Sequence, residues 1–213
     1  MKTKNVIILL MIFSLGIFAQ NKKYIVQMKK SIAFLDSAKE EAQFLAAAST
    51  FEKIAATEKK DWLPSYYAGM AYVLAAYEKE GEDIDKWADK ADVCINRADS
   101  LSKDNSEIYV LKAMCSSSRI MVDPMSRGFM YGKEAYDYSQ KAMTLDPNNP
   151  RPYANKGQGT FYTPEAFGGG AKKARPYIEK ALEKYKTFKP QSELHPNWGH
   201  KMCEDLLKKC DEQ

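Results

Sequence analysis

Four segments of this chain share one spacing: a small residue, a second residue four positions on, and a third small or apolar residue three further. They are Ala47/Phe51/Ile54, Ala91/Ile95/Ala98, Ala135/Ser139/Ala142 and Ala174/Ile178/Ala181, and their starts lie 44, 44 and 39 residues apart. Offsets of four and three fall on one face of an α-helix, and self-similarity at a period of this size marks a stacked array. Alanine at the outer positions lets a partner helix come close, while the middle residue fills the gap. Val and Ile never alternate with polar residues over a strand-length window, which argues against a sheet protein. The pattern predicts an all-α array of about four antiparallel helix hairpins, wound as a short right-handed solenoid.

Each hairpin of such an array leaves an apolar face open, so its ends need caps. "KKYIVQMKKSIAFLDSA", residues 22–38, is amphipathic and reads as the first helix of the leading hairpin. Trp198, Met202, Leu206 and Cys210 stand at four-residue steps with Lys and Glu opposite, which predicts a closing helix at about 195–210. Between these ends the punctuation is local. Asp146-Pro147 ends one helix, because proline disfavours a helical conformation for the residue before it. Asn149 is placed to cap the next helix, with Pro150 at its first position. Three segments read as lengthened links: the acidic "EKEGEDID" (78–85), "RIMVDPMSRGFMYG" (119–132) and "YTPEAFGGG" (162–170).

"KAMTLDPNNPRPY", residues 141–153, resembles the end of a tetratricopeptide repeat running into the next unit. Ala142, Pro147 and Tyr153 fall on that family's late alanine, terminal proline and early aromatic. "YYAGMAY" (66–72) is similar to a first helix through Gly69 and Tyr72, and "ADSLSKDNSEIY" (98–109) is a looser copy with Lys103 in place of the proline. Pro164, Phe167–Gly170 and Ala174 resemble short exported repeat proteins of Gram-negative bacteria and the T-component family of TRAP transporters. The resemblance implies an exported scaffold that binds a protein or peptide along one face.

The first residues set the compartment. Lys2 and Lys4 precede an apolar run ending in Ala19, the layout of a secretory signal over residues 1–19, with the helical domain over 20–213. The run is short for a membrane span, so no stable membrane insertion is expected after cleavage, and the periplasm or the extracellular space is the destination. Cleavage removes two lysines and no acid, taking the net charge from +4 to +2. That is too weak a bias for nucleic acid. Four cysteines do not make a disulfide framework, although a Cys94–Cys115 bridge between adjacent helices is geometrically possible.

Chemistry is scarce. Both histidines, His195 and His200, sit in the C-terminal cap, and no nucleophile–base pair is evident, so no enzyme and no catalytic residue are expected. His200 and Cys203 could share a helix face, but Cys203 lies beside an apolar stripe, where cysteine is commonly a small buried hydrophobe; neither a metal nor a cofactor is expected. Gly168, Gly169 and Gly170, followed by Lys172, Lys173 and Arg175, form either a tight turn or an anion nest at a helix N-terminus. The phosphate-loop pattern is absent, since no strand precedes them and no Ser or Thr follows the lysines. If the two long links meet, Arg119, Asp123, Arg127, Tyr131, Tyr162 and Phe167 line a small pocket with the glycines; otherwise Asp123 caps the helix that follows and the arginines pair with nearby carboxylates. Two functions stand: a non-catalytic scaffold for a polypeptide, or a small-ligand or transport-accessory component with its pocket between 119–132 and 162–170.

Overall fold

The computed structural model describes residues 22–79 and 83–212, so the leader (1–19) and part of the acidic segment lie outside it. The described residues are helical with no strand. α1 covers 22–37, followed by α2 (Glu41–Thr57), α3 (Leu63–Tyr77), α4 (Asp83–Leu101), α5 (Ser106–Ile120), α6 (Pro124–Leu145), α7 (Arg151–Tyr162), α8 (Ala171–Tyr185) and α9 (His200–Asp211). They pack as sequential antiparallel pairs closed by α9.

The small-large-small register is what holds the pairs together. All twelve of its residues are buried, on α2, α4, α6 and α8. On the first helices of the pairs, glycine completes the close approach. A Cβ added at Gly69 would stand 2.8 Å from Ile95 Cγ1, and one at Gly157 would stand 2.7 Å from Ile178 Cγ1 and 3.2 Å from its backbone nitrogen.

The core is divided. One apolar cluster runs from Met28 through α2–α5, reaching Ala142 and Leu194, and a second joins Ala154, Ala174, Ile178, Ala181, Cys203 and Leu206 on α7–α9. α6 lies at the seam between them. Along its 22 residues only Ala135, Ser139 and Ala142 are buried, so its N-terminal half belongs to neither core.

At one end of the bundle the seam is clamped by polar contacts. The fully buried Arg151 donates through Nε to Glu107 Oε2 (2.6 Å) and through Nη2 to Glu107 Oε1. Asn149 Nδ2 donates to Ser106 Oγ (3.0 Å) and Glu107 Oε1 (2.9 Å), and Ser106 Oγ donates to the Ala142 carbonyl (2.9 Å). Asn149 Oδ1 also accepts from Arg151 N (3.0 Å), the capping bond expected from sequence, although the helix starts one residue later than Pro150. The segment 186–199 folds over the same end: Tyr67 donates to the Leu194 carbonyl (2.9 Å), and Trp198 Nε1 donates to the Tyr66 hydroxyl (3.0 Å). The closing helix is shorter than expected, with 195–199 forming a loop ahead of α9.

The segment 119–132 is not a long link. The turn between α5 and α6 is tight, because Asp123 caps α6 at once: its Oδ1 accepts from Met125 N (3.2 Å) and Ser126 N (3.3 Å), and Pro124 occupies the first turn. Gly128 and Gly132 then continue the helix.

Candidate functional site

At the end away from the clamp the seam is open. In an antiparallel stack the N-terminal half of α6 lies beside the C-terminal end of α7 and the start of α8. Met125, Phe129 and Tyr136 follow at steps of four and seven, so they share one face of α6. Tyr136 fixes where that face looks, because Lys156 of α7 places its Nζ 5.0 Å from the Tyr136 ring centroid and 4.5 Å from that of Tyr177 on α8. The stripe therefore looks across the seam toward α7 and α8.

This stripe is wet. Phe129 is 88% exposed and Met125 77%, and Tyr162 (62%) at the end of α7 and Phe167 (65%) in the turn before α8 are uncovered as well. Single exposed apolar residues are ordinary, but a contiguous set of large ones marks a surface that something else covers. Glycine leaves open space beside both helices. Added Cβ atoms at Gly128 and Gly159 would meet nothing within 4 Å, and at Gly132 only Ile120 Cδ1, at 4.0 Å.

The sequence-derived pocket divides when placed on this geometry. Arg119 turns to α4, donating to Asp92 Oδ2 (2.6 Å), Asp89 Oδ1 (2.9 Å) and Asp85 Oδ1 (3.4 Å). Arg127 grips both carboxylate oxygens of Asp85 at 2.8 Å. Asp123 is occupied as the α6 cap, and the Ser126 hydroxyl and the backbone N–H groups hold its carboxyl below the usual range. Tyr131 faces Arg119, its ring centroid 6.0 Å from the guanidinium carbon. These four stiffen the α4–α6 side, whereas Tyr162 is exposed at the end of α7 and Phe167 in the turn before α8. Gly168 and Gly170 have φ of +89° and +95°, and a Cβ at Gly169 would overlap the Thr163 carbonyl. Gly170 N donates to the Thr160 carbonyl and Gly169 N to that of Pro164, so these amides hold a tight turn rather than facing outward.

Sequence reading missed Met125, Phe129, Tyr136, Lys156 and Tyr177. The signal was present: Asp123-Pro124 as a helix start, then apolar residues at helical spacing.

A second concavity of about 860 Å³ sits at the clamped end, between Trp62, Asn105, Asp146, Phe188, Lys189 and His195. Its floor is the Arg151–Glu107 pair, and its rim mixes carboxylate, amide and hydroxyl groups with Lys103 and Lys189. The four cysteines are buried and free, so Cys94 and Cys115 form no bridge. Burial pushes the thiols of Cys94 and Cys203 up to about 12. His195 shares a hydrogen bond with Ser192 Oγ (2.7 Å), and His200 packs edge-on against Tyr185; among the described residues no group of three or more metal-ligating side chains assembles. No described helix is long and apolar enough to cross a membrane.

No protein-family model matches the sequence, and neither does any curated protein. Among solved structures, the HusA haemophore from Porphyromonas gingivalis matches with a TM-score of 0.79 and 33% identity, covering 89% of this chain and 93% of that one. This corrects two expectations. The resemblance to tetratricopeptide repeats and to the TRAP T-component arose from helix-pair packing, in which small residues recur wherever hairpins stack, and it did not identify the family. The scaffold reading, with its protein or peptide partner, also gives way, and the small-ligand alternative is the one this match backs. The chain belongs to the HusA haemophore family.

Proposed function

We propose that this chain is an exported haem carrier, and that its cargo lies in the open seam between the N-terminal half of α6 and the ends of α7 and α8. The observation that carries this reading is the uncovered Met125/Phe129/Tyr136 stripe of α6, with Tyr162 and Phe167 exposed at the end of α7 and before α8. Haem is a flat, largely apolar macrocycle with two carboxylates on one edge. An open helix face suits a plate, and aromatic and thioether side chains suit a polarisable ring system. The groove at the clamped end is charge-balanced, with Lys103, Arg151 and Lys189 beside Asp104, Glu107 and Asp146, and its mostly polar lining offers a macrocycle less apolar contact. Both histidines lie outside the slot, so its residues offer apolar contact and charge pairing. Such a protein carries its ligand unchanged and is not an enzyme.

The test is titration of the purified chain with haem, followed by visible absorption. Phe129→Ala should weaken binding by about tenfold or more, as for a central aromatic anchor, with the helical circular-dichroism spectrum unchanged. Wild-type affinity in both Phe129→Ala and Tyr162→Ala would place the cargo elsewhere.

A further inference from the structure

Lys156 stands apart among the half-buried lysines of the described residues. Lys79 and Lys112 each reach a carboxylate, and Lys184 reaches the Pro147 carbonyl. Lys156 is half-buried inside the seam, and its ammonium rests only on the faces of Tyr136 and Tyr177, with no ion pair or hydrogen-bond acceptor among the described residues. Ring faces hold a cation weakly, and a partly desolvated ammonium is completed by an anion. The Tyr136 oxygen already accepts from Gln140 Nε2 at 2.7 Å, which leaves its own O–H to donate, on the ring that Lys156 faces.

We infer that Lys156, with the Tyr136 hydroxyl, selects porphyrins that carry a free side-chain carboxylate. This inference rests on the cargo reading above. The apolar stripe of α6 binds the ring and is indifferent to its edge substituents. Lys156 lies beyond that stripe, next to Tyr136, where a carboxylate on the ring edge would meet a cation with no competing anion. It acts on specificity: an esterified porphyrin keeps the ring contacts and forfeits the charge pair.

The experiment compares haem with haem dimethyl ester, an identical macrocycle without the charges, on wild type, Lys156→Ala, Lys156→Arg and Phe129→Ala. Lys156→Ala should weaken haem by about tenfold, in line with a charge-assisted hydrogen bond, and leave the ester's affinity unchanged. Lys156→Arg should retain most of the preference, and added salt should erode it in wild type. Equal loss for both ligands in Lys156→Ala, or no loss for either, overturns the inference. Phe129→Ala should weaken both ligands, so a result in which Phe129 matters and Lys156 does not discriminate sinks only the lysine's role. A wild-type chain that binds neither ligand sinks the cargo reading as well.

Discussion

Replacing Glu107 with glutamine removes one charge from the clamp while keeping its shape. Arg151 has no exposed surface, and Glu107 is its bidentate partner, with only 13% of its side chain exposed. Breaking a buried pair from one side costs about 3–5 kcal/mol, because the surviving charge stays enclosed. The residual exposure of Glu107 and the remaining amide partner point to the lower end, about 3 kcal/mol. For a chain of this size that is a fall in Tm of about 6–12 °C. Urea and thermal unfolding followed by far-ultraviolet circular dichroism measure it directly. The paired variant Glu107→Leu/Arg151→Met should recover most of the loss, since replacing both partners leaves no orphaned charge. A loss below about 1 kcal/mol, the size expected of an exposed pair, would refute the view that these residues clamp the two cores.

Glycine gives a matched pair of tests. Gly157→Ala should destabilise by about 1 kcal/mol on urea titration, because over-packing against the Ile178 backbone outweighs the gain in helix propensity. Gly159→Ala meets nothing and should stabilise by about 0.5–1 kcal/mol, yet lower haem affinity by filling the slot. The buried thiols predict a pH response: Cys94 and Cys203 ionise far above an unfolded thiol. Their contribution is therefore intact below pH about 8.5 and is lost as pH rises from there toward 12. Unfolding midpoints measured from pH 8 upward should fall accordingly, and the native chain should resist thiol reagents at pH 8. A midpoint that stays level through this range would contradict the burial.

The alanine register was legible because helix-on-helix contact permits few residues at its closest point; Ala47, Ala91, Ala135 and Ala174 all lie inside. The Asp123 cap was legible for a similar reason, being a local bond between neighbours in sequence. The site was not, since it depends on what fails to pack. Met125 and Phe129 look like core residues in any helical pattern, and only the division of the core into two clusters leaves them uncovered. Arg151 carried no local signal of burial, because its enclosure requires Glu107 on α5 and Phe188 and Trp198 from the segment 186–199. The family stayed hidden because stacked hairpins of unrelated function share the same small-residue spacing.

The uncovered half of α6 also bears on release. Because no segment among the described residues closes over it, a bound plate would keep one edge accessible throughout. Unloading then requires no backbone opening, and an acceptor could engage the protruding edge before the carrier lets go, making the transfer a relay between two surfaces rather than an escape through water.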